Sequence, residues 1–495
     1  MKKIGLLFMF ALTATLFTQC KMGDFGDINY NPNLPSQYDT RFLYLHAVRN
    51  AIPVFYLTGT YDPWAMIYCQ YISERTNIQF TNFSGQNFAI GTYYTNALKD
   101  LNYIIKLNTD EATKNEAGSV TGFCTSNANQ IAVCRTLKAY IFMHLTDAVG
   151  MIPYSEALQA SEGNFTPKYD DQQSIYTDLN KELEEAYAQF DTSTPLNATY
   201  EILFNGNVDR WKKFNASVRM QLAIKLFKVD AATGKTNFAK AFGNGFIFIR
   251  SNADLLQYKY LSESANENPF YNNMIVSARK DFQPSGTLID TLLAYNDPRV
   301  AIYAAPNASG VYFGMPFGLD RTEAAKYDAN MVSPFNTKFY QQNSPAVLIT
   351  PSITLLAAAE AAERGWISDN AESLYNEAIT AAFAQYGLTN AQATAYLNQP
   401  KVKYNTGGTP TDRLNQIALQ KWLASYMQDS FEAWADWRRL NYPNLKPGPY
   451  TAVTEIPRRR MYDSGDYNAN KVNYNAAIKA QGADALATRV WWDKQ

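Results

Sequence analysis

The longest regular patterns along the chain are helical. In DDQQSIYTDLNKELEEAYAQF, residues Ile175, Leu179, Leu183, Ala186, Tyr187 and Phe190 recur at three- and four-residue steps, which gathers them on one face of a helix. TPSITLLAAAEAAERGW followed by NAESLYNEAITAAFAQYGL predicts a helical hairpin, with Gly365 as the stop and Asn370 as the N-cap of the returning helix. WKKFNASVRMQLAIKLFKV and LNQIALQKWLASYMQDSFEAWADWRRL each predict a further long helix. Small residues, tyrosines and a Gly-Trp corner give the hairpin a tetratricopeptide flavour, although no strict period of about 34 residues runs through the chain.

The helical period fades between about 243 and 345. There NGFIFIRS, VYFGMPFGL and FNTKFY sit among Asn, Pro and Gly, which predicts long loops with short strands. Long ordered loops on a helical scaffold are where binding sites gather.

The N terminus has a different pattern again. Lys2 and Lys3 precede the apolar run IGLLFMFALTATLF, and Cys20 closes the segment. That is signal-peptide anatomy over 1–19, too short for a spanning helix. Cys20 then becomes the first mature residue and the site of lipidation, although Phe17, Thr18 and Gln19 match the usual lipoprotein box imperfectly. Residues 20–38, rich in Gly, Asn and Pro, read as a flexible tether, and 39–495 as a single mainly α-helical domain.

Charge and composition narrow the function. The 44 Lys and Arg nearly balance the 45 Asp and Glu, so nothing draws the chain to nucleic acid. Aromatics make up 14% of the residues, and Tyr and Trp combine a flat apolar face with a polar edge that suits sugar rings. Cys124 and Cys134 could pair in an oxidising compartment, but a third thiol, Cys69, would be left over, and buried inert thiols fit better.

Catalytic and cofactor chemistry is sparse. His46 and His144 are the only histidines, and no HExxH, GxSxG or GxxxxGK[ST] motif occurs. Carboxylate pairs such as Glu360 with Glu363, or Glu182 with Glu185, lie on patterned helices and read as solvated faces. The run Asp24, Asp27, Asn29, Asn31, Asn33 lacks the terminal Glu and central Gly of a calcium loop. No metal or cofactor is expected.

HLTDAVGMIPYSEAL (144–158) carries one of the two histidines and could be the edge of a catalytic site or a joint between helices. It resembles the D-x-x-G-x-I-P-Y-s-E-A signature of SusD/RagB-like nutrient-binding outer-membrane lipoproteins, in the branch called SusD-like 2. Further landmarks follow in that family's order: DFGDINYNPN, YNDPRV, ITLLAAAEAAERGW, QKWLASYMQDSFEAWADWRRLNYP and IPRRRMYDSGDYNANKVNY. Met151, Ser430, Asp463 and Asp466 depart from its usual residues. The joint reading follows: Gly150 ends a helix with positive φ, Pro153 blocks continuation, Glu156 ties the corner, and His144, Trp422, Trp434 and Trp437 pack inside. The arginines at 438–439 and 458–460 are candidates to pair with Asp297 or Glu432.

The resemblance implies tetratricopeptide-like helical hairpins carrying long loops and a few short strands. It also implies lipid anchoring at the outer membrane of a Gram-negative bacterium, facing outward. The partner it implies is a SusC-like TonB-dependent transporter, and the activity is non-enzymatic capture and hand-over of an oligosaccharide, or less often a peptide. A glycan-degrading hydrolase and a purely structural tetratricopeptide scaffold are the alternatives. Ligand contacts are expected by region, on two aromatic and amide-rich segments: Phe80, Asn82, Phe83 and Gln86, with Trp64 as an addition, and Tyr271, Tyr312 and Phe313.

Overall fold

The structure is a computed structural model that describes residues 39–56, 63–84, 87–119, 122–243, 247–451 and 453–494. Thr40–Gln495 forms one compact unit. The signal-peptide, Cys20 and tether assignments lie outside the described residues.

The body is built of packed helix pairs. Asn127–Val149 packs against Lys99–Thr109 on one side and Gln172–Gln189 on the other, Val208–Lys225 against Ala231–Phe242, and Pro351–Glu363 against Ala371–Gln385. The predicted hairpin forms as expected: Gly365 takes φ 68° at the stop, and Asn370 accepts the Ser373 N–H as N-cap. Pro351–Glu363 is alanine-rich and buried almost throughout, so its small side chains let neighbouring backbones come close. Side-chain caps start the other long helices, with Ser126, Asp171 and Asn207 each accepting an N–H of the first turn.

The stretch expected to form one helix over 414–440 is two. Pro410–Ala424 ends, Met427 turns the chain with φ 54°, and Asp429 caps a new helix, Ser430–Leu440, by accepting the Glu432 N–H. Apolar periodicity continues through the break, so the pattern alone hid it.

Strands are few and short. Ile72–Glu74 pairs antiparallel with Phe282–Pro284, Leu256–Tyr258 with Ala346–Ile349, and Ile152–Pro153 with Tyr169–Asp170, while Asn87–Phe88 runs parallel to Met461–Tyr462. VYFGMPFGL and FNTKFY contribute isolated bridges rather than strands, Met315 with Ser285 and Phe335 with Ala304; within FNTKFY, Thr337–Phe339 is a single 3-10 turn. Among the described residues no helix is long and apolar enough to cross a membrane. Cys69, Cys124 and Cys134 are free and buried.

Candidate ligand-binding face

The corner at 144–158 is a joint. Gly150 takes φ 87°, ψ −118°, and a Cβ there would lie 2.2 Å from Gln481 Oε1, which accepts the Met151 N–H. Glu156 accepts the Lys168 N–H at 3.0 Å and so ties the corner down through a backbone amide. His144 is fully buried against Phe55, with its Nε2 2.8 Å from Asp429 Oδ2.

Beside it, Lys225 Nζ donates to Asp147 at 2.8 Å and Glu432 at 2.6 Å, and Trp492 Nε1 donates to Asp147 at 2.7 Å. Burial works against the Lys225 charge, but the two carboxylates outweigh it and push its pKa up to about 12. These groups are spent on one another inside the core, with no reacting atom within reach of solvent.

Several pairings differ from expectation. Asp297 binds Arg299, and Glu432 binds Lys225. Arg439 pairs with Glu360 and Asp436, Arg459 with Asp484, and Arg458 lies near Glu455 and Asp493. Glu360 is not on a solvated face but fully buried between Arg439 and Arg364. Glu182 is held by Arg135 in a two-pronged contact at 2.9 and 2.8 Å.

The two segments expected to carry ligand contacts are brought together. The strand pair 72–74 with 282–284 extends outward through the Arg75 N–H donating to the Asp281 carbonyl, and Ser73 donates to the Pro316 carbonyl at 2.8 Å. Ile78 packs against a small core of Met315, Ala324 and Val332, and the Phe80 ring lies 6.1 Å from Phe282. The loop after Glu74 folds back over that residue's carboxylate, which accepts the Phe80 and Thr81 N–H groups at 2.8 Å and the Thr81 hydroxyl at 3.1 Å. Burial raises the Glu74 pKa to about 7 against the pull of these hydrogen bonds.

On this face Phe80, Asn82, Tyr271 and Tyr312 are half-buried and Phe313 is exposed. Phe313 stacks on Tyr327 at 6.1 Å with an interplanar angle of 19°; its N–H donates to the Ser333 hydroxyl at 3.0 Å and its carbonyl accepts the Ser333 N–H at 2.7 Å. Tyr271 follows Phe270, whose ring meets Phe335 edge-on at 4.8 Å, so it is mounted on the same loop cluster.

Two expected residues are corrected. Trp64 is 0% exposed, 4.5 Å from Phe431, 5.2 Å from Trp434 and under the Arg460 guanidinium, which makes it core. Phe83 is 4% exposed and wedged between Tyr68 and Phe317, on a backbone with φ of 55°. Gln86 lies outside the described residues. Sequence reasoning missed Tyr327 and the exposed aliphatic side chains Ile275, Val276, Val311 and Met331. Tyr327 stood alone among polar residues, and exposed aliphatics look like core in a sequence.

These loops carry half-buried and exposed aromatic rings together with the Asn82 amide. They suit stacking and hydrogen bonding of a polyhydroxylated ligand. Among the described residues no group of three or more His, Cys, Asp or Glu is placed to hold a metal.

A family profile, SusD-like 2, described as starch-binding and associating with the outer membrane, matches residues 50–463. A search of curated proteins gives no match. Among solved structures, a candidate nutrient-binding outer-membrane protein from Bacteroides vulgatus superposes with a TM-score of 0.79 at 25% identity, covering 92% of this chain and 100% of its own. A SusD homologue from Bacteroides fragilis gives 0.77 at 24% identity, covering 93% of this chain and 100% of its own. A chitin-binding SusD homologue from Flavobacterium johnsoniae gives 0.75 at 21%, covering 92% and 98%. The last two likenesses establish the fold alone.

Proposed function

The chain belongs to the SusD-like 2 family, and we propose that it captures a neutral oligosaccharide at the cell surface and passes it to a SusC-like TonB-dependent transporter. The fold is the mainly α, tetratricopeptide-like one expected, and the family is one of binding proteins associated with the outer membrane. Lipidation at Cys20, an outward orientation, the transporter partner and the hand-over itself are part of this reading. So is the division into a 1–19 signal peptide, a 20–38 tether and one domain from 39 onward.

The observation that carries the proposal is that strand pairing and the small core around Met315 bring together the 76–84, 271–283 and 307–333 loops, on which Phe80, Tyr271, Tyr312 and Phe313 lie. Aromatic faces hold sugar rings with moderate affinity, and moderate affinity is what hand-over requires, since a captured glycan must also leave.

The test is retention of the mature protein in native gels cast with soluble starch or glycol chitin, with reducing-end release measured in parallel. Retention without release is expected. Reducing-end release abolished by a single Asp or Glu substitution would replace this reading with a hydrolase.

A further inference from the structure

A cleft of about 390 Å³ opens between the helices Lys99–Thr109, Asn127–Val149 and Gln172–Gln189, beneath the segment from Tyr154 to Glu162. It shares no residue with the loop face. Its size is at the lower end of ligand sites, which start at about 300 Å³.

The wall of the cleft holds unspent hydrogen-bonding capacity of both kinds. Lys138 Nζ donates to Asn102 Oδ1 at 2.7 Å, and among the described residues no carboxylate lies within 4.0 Å of it. Two of its three donors are therefore free, as is the Asn102 amide nitrogen. Across from them, Asp178 Oδ2 accepts the Tyr154 hydroxyl at 2.7 Å, which leaves Asp178 Oδ1 and the Tyr154 oxygen lone pairs as acceptors. Arg135, by contrast, has four of its five N–H donors engaged by Glu182, Glu185 and Gln189.

The balance of charge restricts what can enter. Arg135 and Lys138 face Glu162, Asp178 and Glu182, so an anion meets a slight excess of negative charge, and a cation meets the Lys138 ammonium. A neutral molecule rich in hydroxyls can accept from Lys138 and Asn102 while donating to Asp178. Most of the remaining lining is polar too, with Ser155 and Gln159 beside Ala157 and Leu158; Tyr154 stands edge-on to Phe142 at 4.8 Å, and Leu158 is held at φ 64°. Non-glycine residues at positive φ persist where the surroundings over-determine them, often at ligand clamps.

We propose that this cleft is a second saccharide subsite, taking one or two rings of a neutral sugar. The proposal rests on the carbohydrate reading above but on none of the loop-face residues.

The experiment titrates the mature full chain with maltose, cellobiose and N,N′-diacetylchitobiose, followed by saturation-transfer NMR and calorimetry. At least one disaccharide should saturate, and Lys138→Met and Asp178→Asn should each weaken it tenfold or more. Asn102→Ala serves as a further variant should Lys138→Met fail to fold. Equal affinity in the wild type and the cleft variants overturns the subsite, as does saturation by none of the three sugars, or displacement of the sugar by glycine.

The gel assay separates this proposal from the loop face. Polymer retention lost in Phe313→Ala, with Lys138→Met silent in both assays, removes the cleft and keeps the loop face. Disaccharide affinity lost in Lys138→Met, with Phe313→Ala silent on polymer, does the reverse.

Discussion

Asp429 joins two helices through its two carboxylate oxygens. Oδ2 accepts the Tyr140 hydroxyl at 2.5 Å and faces His144 Nε2 at 2.8 Å, while Oδ1 accepts the Glu432 N–H at 3.0 Å and so caps Ser430–Leu440. His144 Nδ1 lies 2.9 Å from the Tyr140 carbonyl oxygen. Both ring nitrogens thus meet acceptors, which calls for the imidazolium. Burial opposes that charge, but Asp429 prevails and holds the His144 pKa above its ordinary 6.5.

The sign of the pH dependence follows. A raised folded pKa means that this contribution to stability is complete below the unfolded value of about 6.5 and is lost as pH rises through the folded value. His144→Asn should cost about 3–5 kcal/mol at pH 6, the scale for breaking a buried pair. Urea unfolding at pH 6 and pH 9 checks this: the gap between wild type and variant should shrink at pH 9. A constant gap would mean that the imidazole is neutral throughout.

The Glu360–Arg439 pair has the opposite sign. Burial alone would raise the Glu360 pKa, but Arg439 and Arg364 outweigh it and bring it down to about 2. The stability it contributes is present above the unfolded value, about 4.3, and is lost as pH falls toward 2. A depression of that size corresponds to about 3 kcal/mol. Glu360→Gln should lower the urea midpoint accordingly at pH 7, and the difference from wild type should narrow on acidification.

The sequence was most informative where a side chain served local geometry. Gly365, Asn370 and Gly150 could be assigned because a helix stop, a cap and a positive-φ corner each require particular residues, and the structure places all three as expected. It was least informative about burial of charge. Glu360 looked solvated because i,i+3 carboxylates on a helix usually are, and only Arg439, 79 residues away in sequence, turns that position inward. The two expected ligand segments do pack against each other, but the burial of Phe83 between Tyr68 and Phe317 is a tertiary contact that no periodicity encodes. The cleft at Lys138 escaped as well, since its donors and acceptors come from three separate helices and the loop at Tyr154.

Membrane attachment can be tested independently of the fold. With Cys20 carrying a diacylglyceryl group and an amide-linked chain, the mature protein should sediment with outer membranes and remain there at high salt, because more than one acyl chain anchors stably. Cys20→Ala should leave it in the soluble fraction and abolish incorporation of labelled palmitate. Co-extraction with a β-barrel transporter in mild detergent should disappear with the anchor or weaken markedly. Unchanged fractionation of the variant would place cleavage elsewhere.

The loop face makes a prediction in which stability and binding separate by residue. Phe313 is 39% exposed and Tyr312 half-buried, so truncating either removes little packing. Phe313→Ala and Tyr312→Ala should each weaken retention on the bound glycan by about 1–3 kcal/mol, the range for a residue that anchors a ligand. Their thermal midpoints should stay close to wild type, since exposed substitutions usually lie within about 0.5 kcal/mol. Phe83 behaves oppositely, because its ring fills the space between Tyr68 and Phe317. Phe83→Ala should cost about 3–5 kcal/mol of stability through the cavity it leaves, and any loss of binding should track the unfolded fraction. Affinity gel electrophoresis and calorimetric melting of the three variants side by side decide the matter. Should Phe313→Ala and Tyr312→Ala melt early, or bind as wild type, these aromatics only pin their loops and glycan capture occurs on another surface.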